Sequence, residues 1–357
     1  MTPTLEKCLA GRQDNFLLLR FLAASLVIYA HASAITGGAG PADVGAALLG
    51  VYSGTLAVDV FFITSGFMVA ASYVRNPRPL QFALARVLRI VPAYAVCIVL
   101  CALVVGALYT SLDWRTYFSH PETWSFITRG LTFGPGLQWD LPGVFVDSPK
   151  RTTVNGSLWT IPAEVRMYVW VLALGMLGLL SRRALGNVAL LVLVAAGALV
   201  PEQLPGFPVP NWLRPGGMFA LGVFAFLNRD WLRASGRQLL VVAAAAWLFR
   251  NTVWYPPLLA LAIGAFVFWF AYRTPWRGFN RFGDMSYGIY LWGFPVQQMV
   301  AVHLPELGTL AHTAVALPFA ILLGALSWRF IEKPALVFKG AFAGPRVGAA
   351  DEPLPRT

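Results

Sequence analysis

About ten apolar segments follow one another along this chain, near residues 16–36, 52–74, 87–109, 157–180, 187–200, 214–227, 238–249, 256–272, 285–303 and 311–329, and clusters of arginine separate them. No water reaches a backbone amide in hydrocarbon, so such a segment crosses as a helix, whose hydrogen bonds are internal. The expected fold is all-α: a polytopic membrane helix bundle of about ten transmembrane helices, several of them shorter than a full crossing. Charged residues are only 12% of the chain, against about a quarter in soluble domains, which excludes an ordinary soluble fold.

The basic residues set the expected orientation. With the N-terminus in the cytoplasm, roughly 20 of the 27 Lys and Arg fall on that side, including Arg75, Arg78, Arg182, Arg183, Arg273 and Arg277. Both termini are therefore expected in the cytoplasm, and the formal charge of +11 needs no nucleic-acid partner. Residues 1–15 carry Glu6 and Asp14 and no small-residue cleavage site, so the first apolar run reads as a retained signal anchor. Three domains of unequal weight are expected: a cytoplasmic N-terminus at 1–15, a membrane domain at 16–339 with an outer loop at 110–155, and a disordered cytoplasmic tail at 340–357. The outer loop mixes aromatic with charged residues and reads as a packed lid or binding wall. Cys8, Cys97 and Cys101 suggest neither a disulfide framework nor thiol or zinc chemistry, and no metal site is expected.

Ionisable residues inside the apolar runs are the candidates for chemistry, because each costs roughly 3 kcal/mol or more in hydrocarbon unless it faces a wet, protein-lined cavity. Arg20 and His31 are eleven positions apart, which at about 100° per residue brings both to one helix face, about 16 Å apart along the axis. Asp59 needs a partner: His31, whose tautomer it would fix, or Arg166 or another arginine, in a purely structural pair. Ser65 and Gly66 permit close helix approach. Arg86 and Arg89, three apart, are either interfacial anchors or, with Arg20, a polyanion site, since guanidinium forks grip phosphate oxygens.

The fourth apolar run opens Asn155-Gly-Ser157-Leu-Trp159-Thr160-Ile-Pro162-Ala-Glu164. Glu164 either complements a helix N-terminus or, sharing a face with Ser157 and Tyr168 on a continuous helix, acts as an acid or base. In the ninth run, Pro295 predicts a kink that frees carbonyls, and Tyr287 and Tyr290 are either interfacial aromatics or ligand contacts. Glu332 lies where it can pair with an arginine, and His303 and His312 flank an outer loop and read as surface residues.

Taken together, these residues resemble acyltransferase family 3, the integral membrane O-acyltransferases that modify bacterial surface sugars, nodulation signals and some macrolides. The resemblance rests on Arg20 with ten residues before His31, on Asp59-Val-Phe-Phe-Ile-Thr-Ser-Gly-Phe67, on Arg86-x-x-Arg89, on Ser157-Leu-Trp-Thr-Ile-Pro-Ala-Glu164 and on Ser286-Tyr-Gly-Ile-Tyr-Leu-Trp292, in the family's order. It implies transfer of an acyl group, usually acetyl, from acyl-coenzyme A as co-substrate, with no bound cofactor, to a hydroxyl of a carbohydrate acceptor at the bacterial inner membrane. It implies that His31 and Arg20 are essential and that Arg86 and Arg89 serve the donor. On this reading the donor phosphates are expected on Arg20, Arg86 and Arg89, and His31 is the expected general base or transient acyl carrier, oriented by Asp59 or Glu164 as the other catalytic groups. Ser65, Trp159, Tyr168, Tyr287 and Tyr290 are the expected acceptor-contacting or cavity-lining residues. Two departures stand out. Gly293 takes the place of a histidine found in many relatives, and the esterase-like domain that some relatives append is not expected here. The rival reading is a secondary transporter of a small polar or anionic solute, which would have repeated halves; none is visible.

Overall fold

The computed structural model describes residues 2–11, 13–37, 43–134, 136–148, 153–199 and 213–341; the expected tail beyond 341 lies outside them. Among these residues the fold is helical and contains no strand. Helix α1 (Leu5–Ala10) lies at the arginine-rich end, where the Leu5 amide donates to the Leu232 carbonyl at 2.8 Å. Helix α2 (Phe16–Ile35) runs to the opposite end, and the short α3 (Val44–Leu49) turns the chain into the returning α4 (Ser53–Arg75). Helix α5 (Pro79–Leu100) begins on a proline, which costs nothing where an amide has no helical acceptor, and continues through a π turn at Cys101–Val105 into α6 (Gly106–Tyr109).

The segment expected to be a lid folds as α7 (Trp114–Ser119) and α8 (Pro121–Leu131) and packs on α5. Its anchor is Tyr117, fully buried, whose hydroxyl donates to the Ala102 carbonyl at 2.7 Å. Then follow α9 (Thr160–Met176), α10 (Arg183–Leu199), α11 (Leu213–Leu227), α12 (Gly236–Leu248), α13 (Tyr255–Arg273), α14 (Ser286–His303) and α15 (Thr309–Ser327), which passes through a second π turn, Trp328–Glu332, into α16 (Lys333–Ala341).

Each of the ten apolar segments overlaps a helix of this series, the third of them both α5 and α6, but among the described residues only five helical stretches are both long and apolar enough to cross a membrane: α2, α4, α5 with α6, α13, and α15 with α16. Helices α10, α11 and α12 are apolar but shorter. Helix α14 falls outside both groups because it is the centre of the bundle. Residues 286–298 are all buried against protein, so this helix needs no lipid-matching surface and tolerates Ser286, Gln297 and Gln298.

Two local features shape the bundle around α14. Pro295 has no amide to donate to the Leu291 carbonyl one turn earlier. The Asn155 side-chain amide supplies that bond at 2.8 Å, and the Cys97 thiol approaches the same oxygen at 3.5 Å. The expected freeing of a carbonyl by Pro295 is thus realised, with an amide and a thiol rather than a hydroxyl as donors. Across the bundle, α4 and α11 touch backbone to backbone: a Cβ at Gly66 would lie 2.1 Å from the Phe219 carbonyl oxygen, and one at Gly222 2.2 Å from that of Ile63. Only glycine fits at either position.

Candidate active site

A cavity of about 380 Å³ opens among the arginine-rich helix ends. Arg20 of α2, Arg75 of α4, Arg86 and Arg89 of α5, Glu164 and Tyr168 of α9, and Asp284 line it. The three arginines expected to act together therefore share one cavity, and Arg75 joins them. Their environments differ. Arg89 is held on both sides, by Asp284 and by Glu332 at 2.7 Å, with Ser327 donating to the far oxygen of Glu332 at 2.9 Å. Glu332 thus pairs with an arginine, as its position in the sequence suggests. Arg20 reaches the same Asp284 oxygen at 3.2 Å. Burial alone would raise the Asp284 carboxyl, but Arg20 and Arg89 beside it hold it down at about 2. Among the described residues Arg75 and Arg86 form no ion pair; Arg86 lies over the rings of Phe82 and Tyr168 at 5.7 and 5.6 Å. Guanidinium donors are thus left for an anionic ligand.

A second chamber, of about 40 Å³, is lined by residues that include four of the same ones: Arg20, Ser65, Glu164 and Tyr287. Its remaining walls are Val58, Phe61, Phe62, Thr160, Ile161 and Tyr290. Glu164 stands where the two spaces meet, its Oε1 accepting from Ser65 at 3.0 Å and from the Tyr168 hydroxyl. Tyr287 and Tyr290 are 6% and 7% exposed, so they are wall residues and not members of an interfacial aromatic belt.

Ser157 is not on one face with Glu164 and Tyr168, because α9 begins only at Thr160. The chain turns before it: the Ser157 amide donates to Asn155 Oδ1 at 3.2 Å, and the Ser157 carbonyl accepts from the Tyr290 hydroxyl at 2.7 Å. That hydroxyl in turn accepts from Thr160 at 2.7 Å. Trp159, partly buried against the main core, lines neither space.

Towards the opposite end, the two alternatives for Asp59 resolve in favour of an arginine, and it is Arg214 of α11 rather than Arg166. Asp59, fully enclosed, accepts from Arg214 Nε at 3.1 Å and Nη2 at 2.6 Å. His31 lies edge-on to Phe294 at 5.1 Å and lines neither space, but Phe294 is one turn along α14 from Tyr290, a wall of the chamber. Gly293 faces Ile28 of α2, three residues before His31; a Cβ there would lie 3.0 Å from the Ile28 side chain. His303 is exposed and pairs with the Tyr109 hydroxyl at 3.0 Å. His312 is not a surface residue. It is fully buried, its Nε2–H donating to the Gln297 carbonyl at 3.0 Å, because the first turn of α15 packs inward on α14.

Sequence reasoning missed Arg75, Asp284 and Arg214 as parts of this arrangement. Asp284 and Arg214 each carried a signal, since a charge beside an apolar run demands a counter-charge; nothing local named the partner.

A family model described as an acyltransferase domain matches residues 14–329. The chain is 28% identical to an O-acetyl transferase of Shigella phage Sf6, over 90% of this chain and 96% of that protein. It is 30% identical to Nodulation protein 10 of Rhizobium leguminosarum bv. viciae, over 96% of this chain and 98% of that protein. No solved structure matches. With the model covering the smaller cavity, nearly all of the larger one and both ends of the Arg20 to His31 face, the chain belongs to acyltransferase family 3.

Proposed function

We propose that this protein moves an acyl group, acetyl above all, from acyl-coenzyme A to a hydroxyl of a carbohydrate acceptor: a cell-surface polysaccharide, a lipid-linked sugar or a glycolipid. It does so in the bacterial inner membrane, as a bundle of about ten transmembrane helices with both ends in the cytoplasm. The observation that carries this reading is the arginine-lined cavity of about 380 Å³ that narrows to Glu164. A coenzyme A entering from the cytoplasm would set its phosphates against Arg20, Arg75 and Arg86, while Arg89, clamped by two carboxylates, fixes the wall that holds Asp284 and Tyr287. The thioester then reaches the chamber beside Glu164.

His31 serves the acceptor. As a general base, its imidazole takes the proton of the acceptor hydroxyl, the oxygen attacks the thioester carbonyl, and the coenzyme A thiolate leaves and is reprotonated. In the relay version, an imidazole nitrogen attacks the thioester first and expels the coenzyme A thiolate, which takes up the imidazole proton; the acceptor oxygen then attacks the acyl-imidazole, and the hydroxyl proton passes to the departing imidazole nitrogen. The name of one relative, an O-acetyl transferase, supports acetyl and an oxygen acceptor. Detergent-purified protein and its His31→Ala variant, given radiolabelled acetyl-coenzyme A with and without envelope glycans, test the reading: coenzyme A release by the parent and not by the variant is expected. Failure of the parent to bind or turn over the donor removes it.

A further inference from the structure

We infer that the chamber of about 40 Å³ holds the transferred acyl group, and that Val58, Phe62 and Ile161 limit that group to the length of acetyl. The inference rests on the acyltransferase reading above and names the residues that enforce its preference for acetyl.

Size is the first argument. The chamber offers about 40 Å³ against about 380 Å³ in the arginine-lined cavity, a space matched to a short group rather than a chain. Beyond the sulfur, an acetyl group has three heavy atoms and a butyryl group five. Continuity is the second. The chamber shares Arg20, Ser65, Glu164 and Tyr287 with the arginine-lined cavity, so the reactive end of a donor held there by its phosphates passes into it.

The third argument is the fit of chemistry to wall. Val58, Phe61, Phe62 and Ile161 give an apolar side suited to a methyl group. Arg20 also lines the chamber, and its guanidinium gives the polar side a positive charge towards which a thioester oxygen would turn. Nor can the wall yield readily. Phe62 and Ile161 are 4% and 2% exposed, and the Phe61 ring is held between the Arg20 guanidinium and the Tyr290 ring, each at 5.9 Å. Extra carbons would have to displace packed side chains rather than turn them outwards.

The test uses the full chain in detergent with coenzyme A and its acetyl, propionyl, butyryl and hexanoyl thioesters, measuring both binding and coenzyme A release. In the parent, affinity and release are expected to fall by about tenfold or more from acetyl to butyryl. Phe62→Ala and Ile161→Ala should bring butyryl to within about threefold of acetyl while leaving the binding of unacylated coenzyme A unchanged. Should these variants fold poorly, Phe62→Leu gives a milder enlargement, and Val58→Leu, which fills the chamber, should depress acetyl turnover alone. Equal use of acetyl and butyryl by the parent, or an unchanged ratio in folded variants, overturns the acyl-length assignment and leaves the acyltransferase reading standing. Failure of every coenzyme A form to bind overturns both.

Discussion

The side-chain amide of Asn155 donates to the backbone carbonyl of Leu291 at 2.8 Å, at the one place where α14 cannot bond to itself. The turn before α9 and the break in the central helix therefore complete each other. Asn155→Ala would leave the Leu291 carbonyl with the weak Cys97 thiol as its remaining donor, at a cost of about 1–3 kcal/mol. Thermal unfolding in detergent should show a lower midpoint. Adding Pro295→Ala, which restores the amide of residue 295, should recover part of the loss.

The Asp284 carboxyl, held at about 2 against an ordinary 3.8, contributes stability that is complete above the ordinary value and disappears as pH falls through about 2. A shift of this size is worth about 2 kcal/mol. Asp284→Asn should therefore lower the thermal midpoint by a constant amount between pH 5 and 8, and the gap to the parent should narrow below pH 4. A gap that grows with acidity contradicts the pairing with Arg20 and Arg89.

Arg214→Ala strands the enclosed Asp59 carboxylate. Because Arg214 is itself 38% exposed, the loss belongs at the lower end of that for a broken buried pair, about 3 kcal/mol. Asp59→Asn in the same background should regain much of it. Since Asp59 is occupied by Arg214, Asp59→Asn alone should leave the pH profile of acyl transfer in place; a shifted profile would instead tie Asp59 to His31.

Arg86 carries no ion pair among the described residues, so its removal exposes no buried counter-charge. Arg86→Ala is expected to raise KM for the donor by about tenfold, more steeply at low salt, with little change in thermal midpoint. Arg89→Ala should do the opposite, unfolding the protein at lower temperature because Asp284 and Glu332 lose their shared cation.

Helical identity was legible wherever apolar runs lay between arginines, since lipid leaves the backbone one way to satisfy itself. The gathering of Arg20, Arg86 and Arg89 was legible too, because all three lie at the same end of their runs. Pairings between distant helices were not. Asp59 and Arg214 are 155 residues apart, and nothing near either identifies the other. His312 was misread because nearness to a loop is a one-dimensional cue, whereas its burial comes from how α15 packs on α14. The start of α9 failed for a related reason: a helical face drawn through Ser157 assumes continuity that Asn155 interrupts with its own turn.

The reciprocal seating of Gly66 and Gly222 has a mechanical consequence. At these two points no side chain stands between α4 and α11, so sliding one helix along the other would drive backbone into backbone. They form a stator. Val58, Phe61, Phe62 and Ser65 are mounted on it, and whatever breathing admits and releases a ligand belongs to the facing partners, α2 with Arg20 and α14 with Tyr287 and Tyr290.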